Sequence, residues 1–240
     1  MDGGVHPRPV VIGLLGGIAS GKSLARRVLT AAGAAAVDAD TLAHAVLAEP
    51  EVRRALIERH GPAILRTEPA GGGPPALDRA ALAAIVFANR DHLAHLESLV
   101  HPRVSRRLRQ QVEAHLAATD LPAVVLDVPL LLEQGASVEL CDLLLFVDAP
   151  FALRARRVAE HRGWTAAELE RREKCQLELG EKQRRADVVF DNSASEADLE
   201  RTILRWLSQS GGFAGLPRKP TPREPTPSKP TQQLKGPAMP

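Results

Sequence analysis

Eight residues near the amino terminus have the types and spacing needed to hold phosphate: Gly16-Gly17-Ile18-Ala19-Ser20-Gly21-Lys22-Ser23. Gly16 is followed by four residues and then Gly21-Lys22-Ser23, the P-loop pattern of nucleoside-triphosphate-binding proteins. Glycines let the backbone curl until several N–H groups point into one concavity, and a helix starting there adds partial positive charge. Gly17, Ile18, Ala19, Ser20, Gly21, Lys22, Ser23 and Leu24 are the expected cradle. Lys22 would reach the terminal phosphates and steady the transferring group, and the Ser23 hydroxyl would ligate Mg²⁺. The apolar run Val10 to Leu15 precedes the turn as a strand, and Leu24 to Leu29 follows it with helical spacing. That strand–turn–helix context separates a working loop from a chance match.

Carboxylates and guanidinium groups supply the rest of a phosphoryl-transfer site. Such a reaction needs mostly positioning and charge, helped by a carboxylate that takes the acceptor's proton. Ala34 to Asp40 reads as a second strand ending in Asp38 and Asp40. Two residues apart, both face the same side of an extended strand, so spacing does not choose between them. A helix starting at Thr41 would put Asp40 at its N-cap, where it would accept a backbone N–H instead. Asp127 closes a third strand and is a candidate for Mg²⁺, directly or through water, with a strand-terminal carboxylate as the plainer alternative. Of the arginines at 154, 157, 162, 184 and 185, Arg157 and Arg162 are the choices for contact with ATP.

These groups need a frame. Strands near 10–15, 34–38, 123–128, 143–148 and 187–190 alternate with helices and are continuously apolar, as in a parallel sheet covered on both faces. The pattern predicts an α/β protein: a P-loop nucleoside-triphosphate hydrolase fold with a five-stranded, doubly wound parallel sheet. Two long insertions, 41–118 and 150–186, follow strand ends and are placed to form a helical substrate lobe and a helical lid. In the lobe, Asp78 reads as a helix cap, and a helix over 91–116 is expected to break near His101-Pro102. The lid should break at Gly163. Thr67 to Pro75 reads as a loop, residues 1–9 as a disordered start, and the proline-rich stretch 211–240 as a disordered tail outside the 10–210 domain. The tail's composition favours a solvated extension over a docking motif.

Composition narrows the class. The chain has 240 residues and a net charge of +2, with 44% hydrophobic residues and two cysteines. The near balance of charge gives no argument for nucleic acid. The distant cysteines and the lack of a membrane-length apolar run point to a soluble, cytoplasmic protein. His92 and His95 lie three apart, but no further ligand cluster accompanies them. The guanine-recognition signature Asn-Lys-x-Asp is absent. From the residues alone the reading is a P-loop kinase of a small hydroxylated metabolite. A nucleoside kinase of similar build, or a catalytically silent nucleotide-binding regulator, remain as alternatives.

Several segments together resemble dephospho-CoA kinases. They are the P-loop, Val37-Asp38-Ala39-Asp40 with Ala43-His44, Leu77 to Leu82 with Ile85-Val86-Phe87, Val100-His101-Pro102, Val125 to Glu133, and Ala186 to Ser193. Their order spans residues 10 to about 207. The resemblance implies ATP-dependent phosphorylation of the ribose 3′-hydroxyl of dephospho-CoA, the last step of coenzyme A synthesis. It implies Asp40 as the catalytic base and gives His101 a role in the acceptor pocket, beside Asp40 and Asp127. The P-loop departs from the family at Ala19, usually glycine, and at Leu24, usually threonine. The methyl of Ala19 calls for an ordinary backbone conformation there. The lid sequence His161-Arg162-Gly163 leaves the family's lid arginine aligned with Arg162 only to within one residue.

Overall fold

Five apolar runs become the strands of one sheet in the computed structural model, which describes residues 8–66, 76–118, 120–129, 131–133 and 137–219. The strands are β1 (Val10–Gly16), β2 (Ala35–Asp38), β3 (Ala123–Asp127), β4 (Leu143–Asp148) and β5 (Val188–Asp191). All neighbours pair in parallel, in the order β2-β3-β1-β4-β5. The central strand β1 is buried along its whole length. The order reverses around β1, so the crevice beyond its carboxyl end is where such a sheet receives ligands.

Each face of the sheet has its own core. On one, helix α1 (Lys22–Ala31) and helix α9 (Glu196–Gln209) bury Leu29, Leu199 and Ile203 against Ile12, Leu14 and Leu145. On the other, Leu108 and Val112 pack with Val11, Val124 and Phe146. A third cluster, built on Val46, Leu56, Ile64, Leu82 and Val100, belongs to the inserted lobe. That lobe consists of α2 (Ala39–Leu47), α3 (Pro50–His60), α4 (Arg79–Ala88) and α5 (Arg90–Ala117). The lid is α6 (Phe151–Arg162), α7 (Ala166–Glu173) and α8 (Leu179–Arg184). Gly163, left-handed at φ 67°, ends α6 as expected; a second break, after Glu173, has no comparable glycine to announce it.

Three expectations need correction. The long lobe helix does not break at Pro102: α5 carries the proline inside its 28 residues. The Arg103 guanidinium donates to the Leu99 carbonyl at 2.9 Å, within the turn that the proline loosens. Ala19 does not take an ordinary conformation but sits at φ 57°. A left-handed alanine costs about 1–2 kcal/mol, which the closure of the surrounding loop must offset. Residues 8–9 and 211–219, expected to be disordered, are placed in the structure. A single 3-10 turn at Phe213–Gly215 folds back, and Phe213 and Leu216 are buried in the α1–α9 core. Burying two such side chains contributes roughly 1.5–3 kcal/mol each.

Arg8 and Lys219 meet on one carboxylate, at the end of the sheet away from the crevice. Asp142 accepts from the Arg8 guanidinium at 2.7 and 2.8 Å and from the Lys219 and Val11 amides at 2.8 Å each. Burial raises the Asp142 carboxyl, but the Arg8 bond and the two amides outweigh it and hold it below its usual range. Residues 1–7, the loop expected over 67–75, Leu130 and residues 220–240 lie outside the described residues, as does the side chain of Phe87.

Candidate nucleotide and acceptor site

The phosphate loop is a turn whose peptide groups are held one by one. Helix α1 opens at Gly21, φ 110°, with no side chain capping its first N–H groups, so they face outward as an anion cradle. A Cβ on Gly21 would stand 2.3 Å from Asn192 Nδ2, so both conformation and space demand glycine. Asn192, buried just past β5, donates to the Ser20 carbonyl at 2.6 Å. Arg157 on α6 donates to the Ala19 carbonyl at 3.2 Å and approaches Ser20 O at 3.4 Å. Lys22 folds over the loop, its Nζ 3.0 and 2.8 Å from the Gly16 and Gly17 carbonyls. Burial lowers the Lys22 ammonium to about 8, against the pull of Asp127. Nearby phosphate charge favours its protonated form.

Asp38 and Asp40 divide the work in a way spacing could not show. Helix α2 starts at Ala39 and its N-cap is Asp38, whose Oδ1 accepts from the Asp40 and Thr41 amides. The other Asp38 oxygen pairs with Arg26 at 2.6 Å. Burial raises the Asp38 carboxyl, but Arg26 and the two cap amides dominate and hold it low. Asp40 is therefore not the cap. It is exposed and lines the cavity. Asp127, beside Asp38 in the β2–β3 register, is half-buried, and burial pushes its carboxyl up despite Arg26 at 3.6 Å and Lys22.

These groups line one cavity of about 540 Å³ beyond the carboxyl ends of β1 and β3. Its wall includes Ile18, Ala19, Ser20, Gly21, Lys22, Ser23 and Leu24 from the loop, with Asp40 and Asp127 facing them and Arg157 and Arg162 from the lid. Arg162 and Arg172 lie over the Trp164 ring, at 5.0 and 4.0 Å from its centroid. Gly17 is buried behind the loop and does not line the cavity. His101 is exposed on α5 and is not part of this wall.

Sequence reasoning missed Arg27, His161, Gln176, Asn192 and Glu196, which also face the cavity. Asn192 had a signal, since it follows the last strand as Asp127 closes the third. Gln176 had none. Its Oε1 accepts from the buried Lys182 at 3.1 Å, and Lys182 pairs with Glu133 at 2.9 Å. Glu133 also accepts the Leu177 amide at 3.0 Å, so the segment Val125 to Glu133 ends in the anchor of the α7–α8 connection.

Comparison with known proteins points to one family. A family model described as dephospho-CoA kinase matches residues 10–198. A dephospho-CoA kinase of Geobacillus kaustophilus is 37% identical over 201 residues, 83% of this chain and 96% of the relative. One from Symbiobacterium thermophilum is 39% identical over 213 residues, 86% of this chain and 84% of the relative. The crystal structure of a Thermus thermophilus protein, 36% identical, superposes with a TM-score of 0.65 over 85% of this chain and 98% of that one.

Proposed function

Because the chain belongs to the dephospho-CoA kinase family, we propose that it transfers the terminal phosphoryl group of ATP to the ribose 3′-hydroxyl of dephospho-CoA, giving coenzyme A and ADP. The observation that carries this reading is the exposed Asp40 carboxylate facing Lys22 and the phosphate loop across one cavity, while Asp38 alone serves the helix cap. Asp40 accepts the proton of the attacking hydroxyl. The loop amides and Lys22 hold the phosphates, and Arg157 and Arg162 close over them from the lid. Arg26 keeps Asp38 and Asp127 in register on the acceptor side.

The donor set suits a hard cation. Ser23 offers a hydroxyl and Asp127 a carboxylate at the cavity wall, and among the described residues no three His, Cys, Asp or Glu side chains form a metal-binding group. Two oxygen ligands supplemented by phosphate and water are what Mg²⁺ prefers. Bound there, Mg²⁺ would neutralise phosphate charge. Action in the cytoplasm on this small-molecule substrate is part of the same proposal; no helix among the described residues is long and apolar enough to cross a membrane.

The test is ATP consumption by the purified chain with dephospho-CoA, nucleosides or shikimate as acceptor. Stimulation by dephospho-CoA, with coenzyme A formed in equal amount to ADP, is expected. Turnover of a nucleoside and none of dephospho-CoA would overturn the substrate and leave the fold standing.

A further inference from the structure

The lid meets the phosphate loop through a pair of charges that phosphoryl transfer does not itself require. Arg154 on α6 is 3% exposed, and Glu173, the last residue of α7, is half-buried. The two are ion-paired through Arg154 Nη1 and Glu173 Oε1. That same Oε1 accepts the Ile18 amide at 3.2 Å. Arg154 Nε donates to the Ala149 carbonyl at 3.0 Å, and its Nη1 lies 3.5 Å from the Ile18 carbonyl. Opposite charges from two lid helices thus hold both polar groups of Ile18.

Gly17 makes room for them. A Cβ there would stand 2.9 Å from Arg154 Nη1 and 3.0 Å from Glu173 Oε1. The loop's other peptide groups have different holders: Lys22 takes the Gly16 and Gly17 carbonyls, Arg157 that of Ala19, and Asn192 that of Ser20. The Ile18 amide rests on Glu173. A free carboxylate bonded to the phosphate loop would disfavour anions there, but its partner Arg154 makes the pair neutral. Such pairs add little net stability, because desolvation offsets their attraction; fixed geometry is what they supply.

We propose that Arg154 and Glu173 form a positioning clasp that ties the lid to the first half of the phosphate loop, so that ATP meets amides already in place. The clasp rests on the nucleotide reading of the cavity. Its test is direct ATP binding by calorimetry, with kcat and KM for ATP and the melting temperature alongside, on the full chain. Glu173→Ala should raise the ATP Kd at least tenfold while kcat at saturating ATP stays within threefold of wild type. Glu173→Gln keeps an acceptor for the Ile18 amide and should recover Kd to within threefold. The double change Arg154→Leu with Glu173→Leu leaves no unpaired buried charge to unfold the lid, and should weaken ATP binding as much as Glu173→Ala. A lower melting temperature with the ATP Kd within twofold of wild type, in either the alanine or the double variant, would reduce the pair to a structural contact and overturn the clasp alone. A wild-type chain that binds no ATP would overturn the nucleotide reading and the clasp with it.

Discussion

The two shoulders of the cavity are built by different means. The phosphate shoulder is backbone: a curled loop whose carbonyls are held by Lys22, Arg157 and Asn192 and whose Ile18 amide rests on Glu173, while the first amides of α1 stay uncapped. The acceptor shoulder is side chain: Asp40 at the start of α2 and Asp127 at the end of β3, steered by Arg26 and Asp38. A backbone cradle suits a ligand whose phosphates are always the same. A surface of side chains on an inserted lobe suits an acceptor that differs from one kinase to the next. One family of folds can therefore keep its donor side and vary its acceptor side.

The largest effect should come from the acceptor shoulder. Asp40→Asn removes the proposed proton acceptor without disturbing the cap, which belongs to Asp38. The expected kcat is lower by at least ~10²-fold, with ATP affinity and melting temperature nearly unchanged. Retention of more than a tenth of wild-type kcat would take the base role away from Asp40.

The phosphate shoulder should answer to pH. Burial lowers Lys22 to about 8 in the free protein, and the charged ammonium is the form that binds phosphate. Raising the pH through that value empties it, so kcat/KM for ATP should be constant below about pH 8 and fall above it, approaching tenfold per pH unit. A profile flat to pH 10 would mean that Lys22 does not titrate as a phosphate ligand.

The smallest effect sharpens the boundary of the acceptor shoulder. His101 is exposed on α5, outside the cavity wall. His101→Ala should leave KM for dephospho-CoA within twofold. A tenfold rise would extend the acceptor surface along α5 to this ring.

The same division explains what was legible in the sequence. The central strands β1, β3 and β4 are buried on both faces and read as continuous apolar runs, the shorter edge strands β2 and β5 are apolar up to a closing aspartate, and the loop between β1 and α1 is a local pattern of glycines. Asp38 and Asp40 were indistinguishable because the choice depends on helix onset two residues earlier than Thr41 suggests, at Ala39. Gln176 is held at the cavity by Lys182, which itself pairs with Glu133, a link that no local pattern encodes. Ala19 is left-handed because the loop closes around it, not because alanine prefers it. Phe213 and Leu216 were lost among prolines, although two apolar residues are enough to return a chain end to the core.

That return has a topological consequence. Arg8 and Lys219 share the Asp142 carboxylate, so the first and last of the described residues meet at one address, at the end of the sheet away from the crevice. The elements between them therefore form nearly a closed ring. A short linker from Lys219 to Arg8, with new ends opened at the exposed turn around Gly33, would change the order of synthesis and leave the five carboxyl strand ends facing the same cavity. What the site depends on is which elements are neighbours, rather than which is made first.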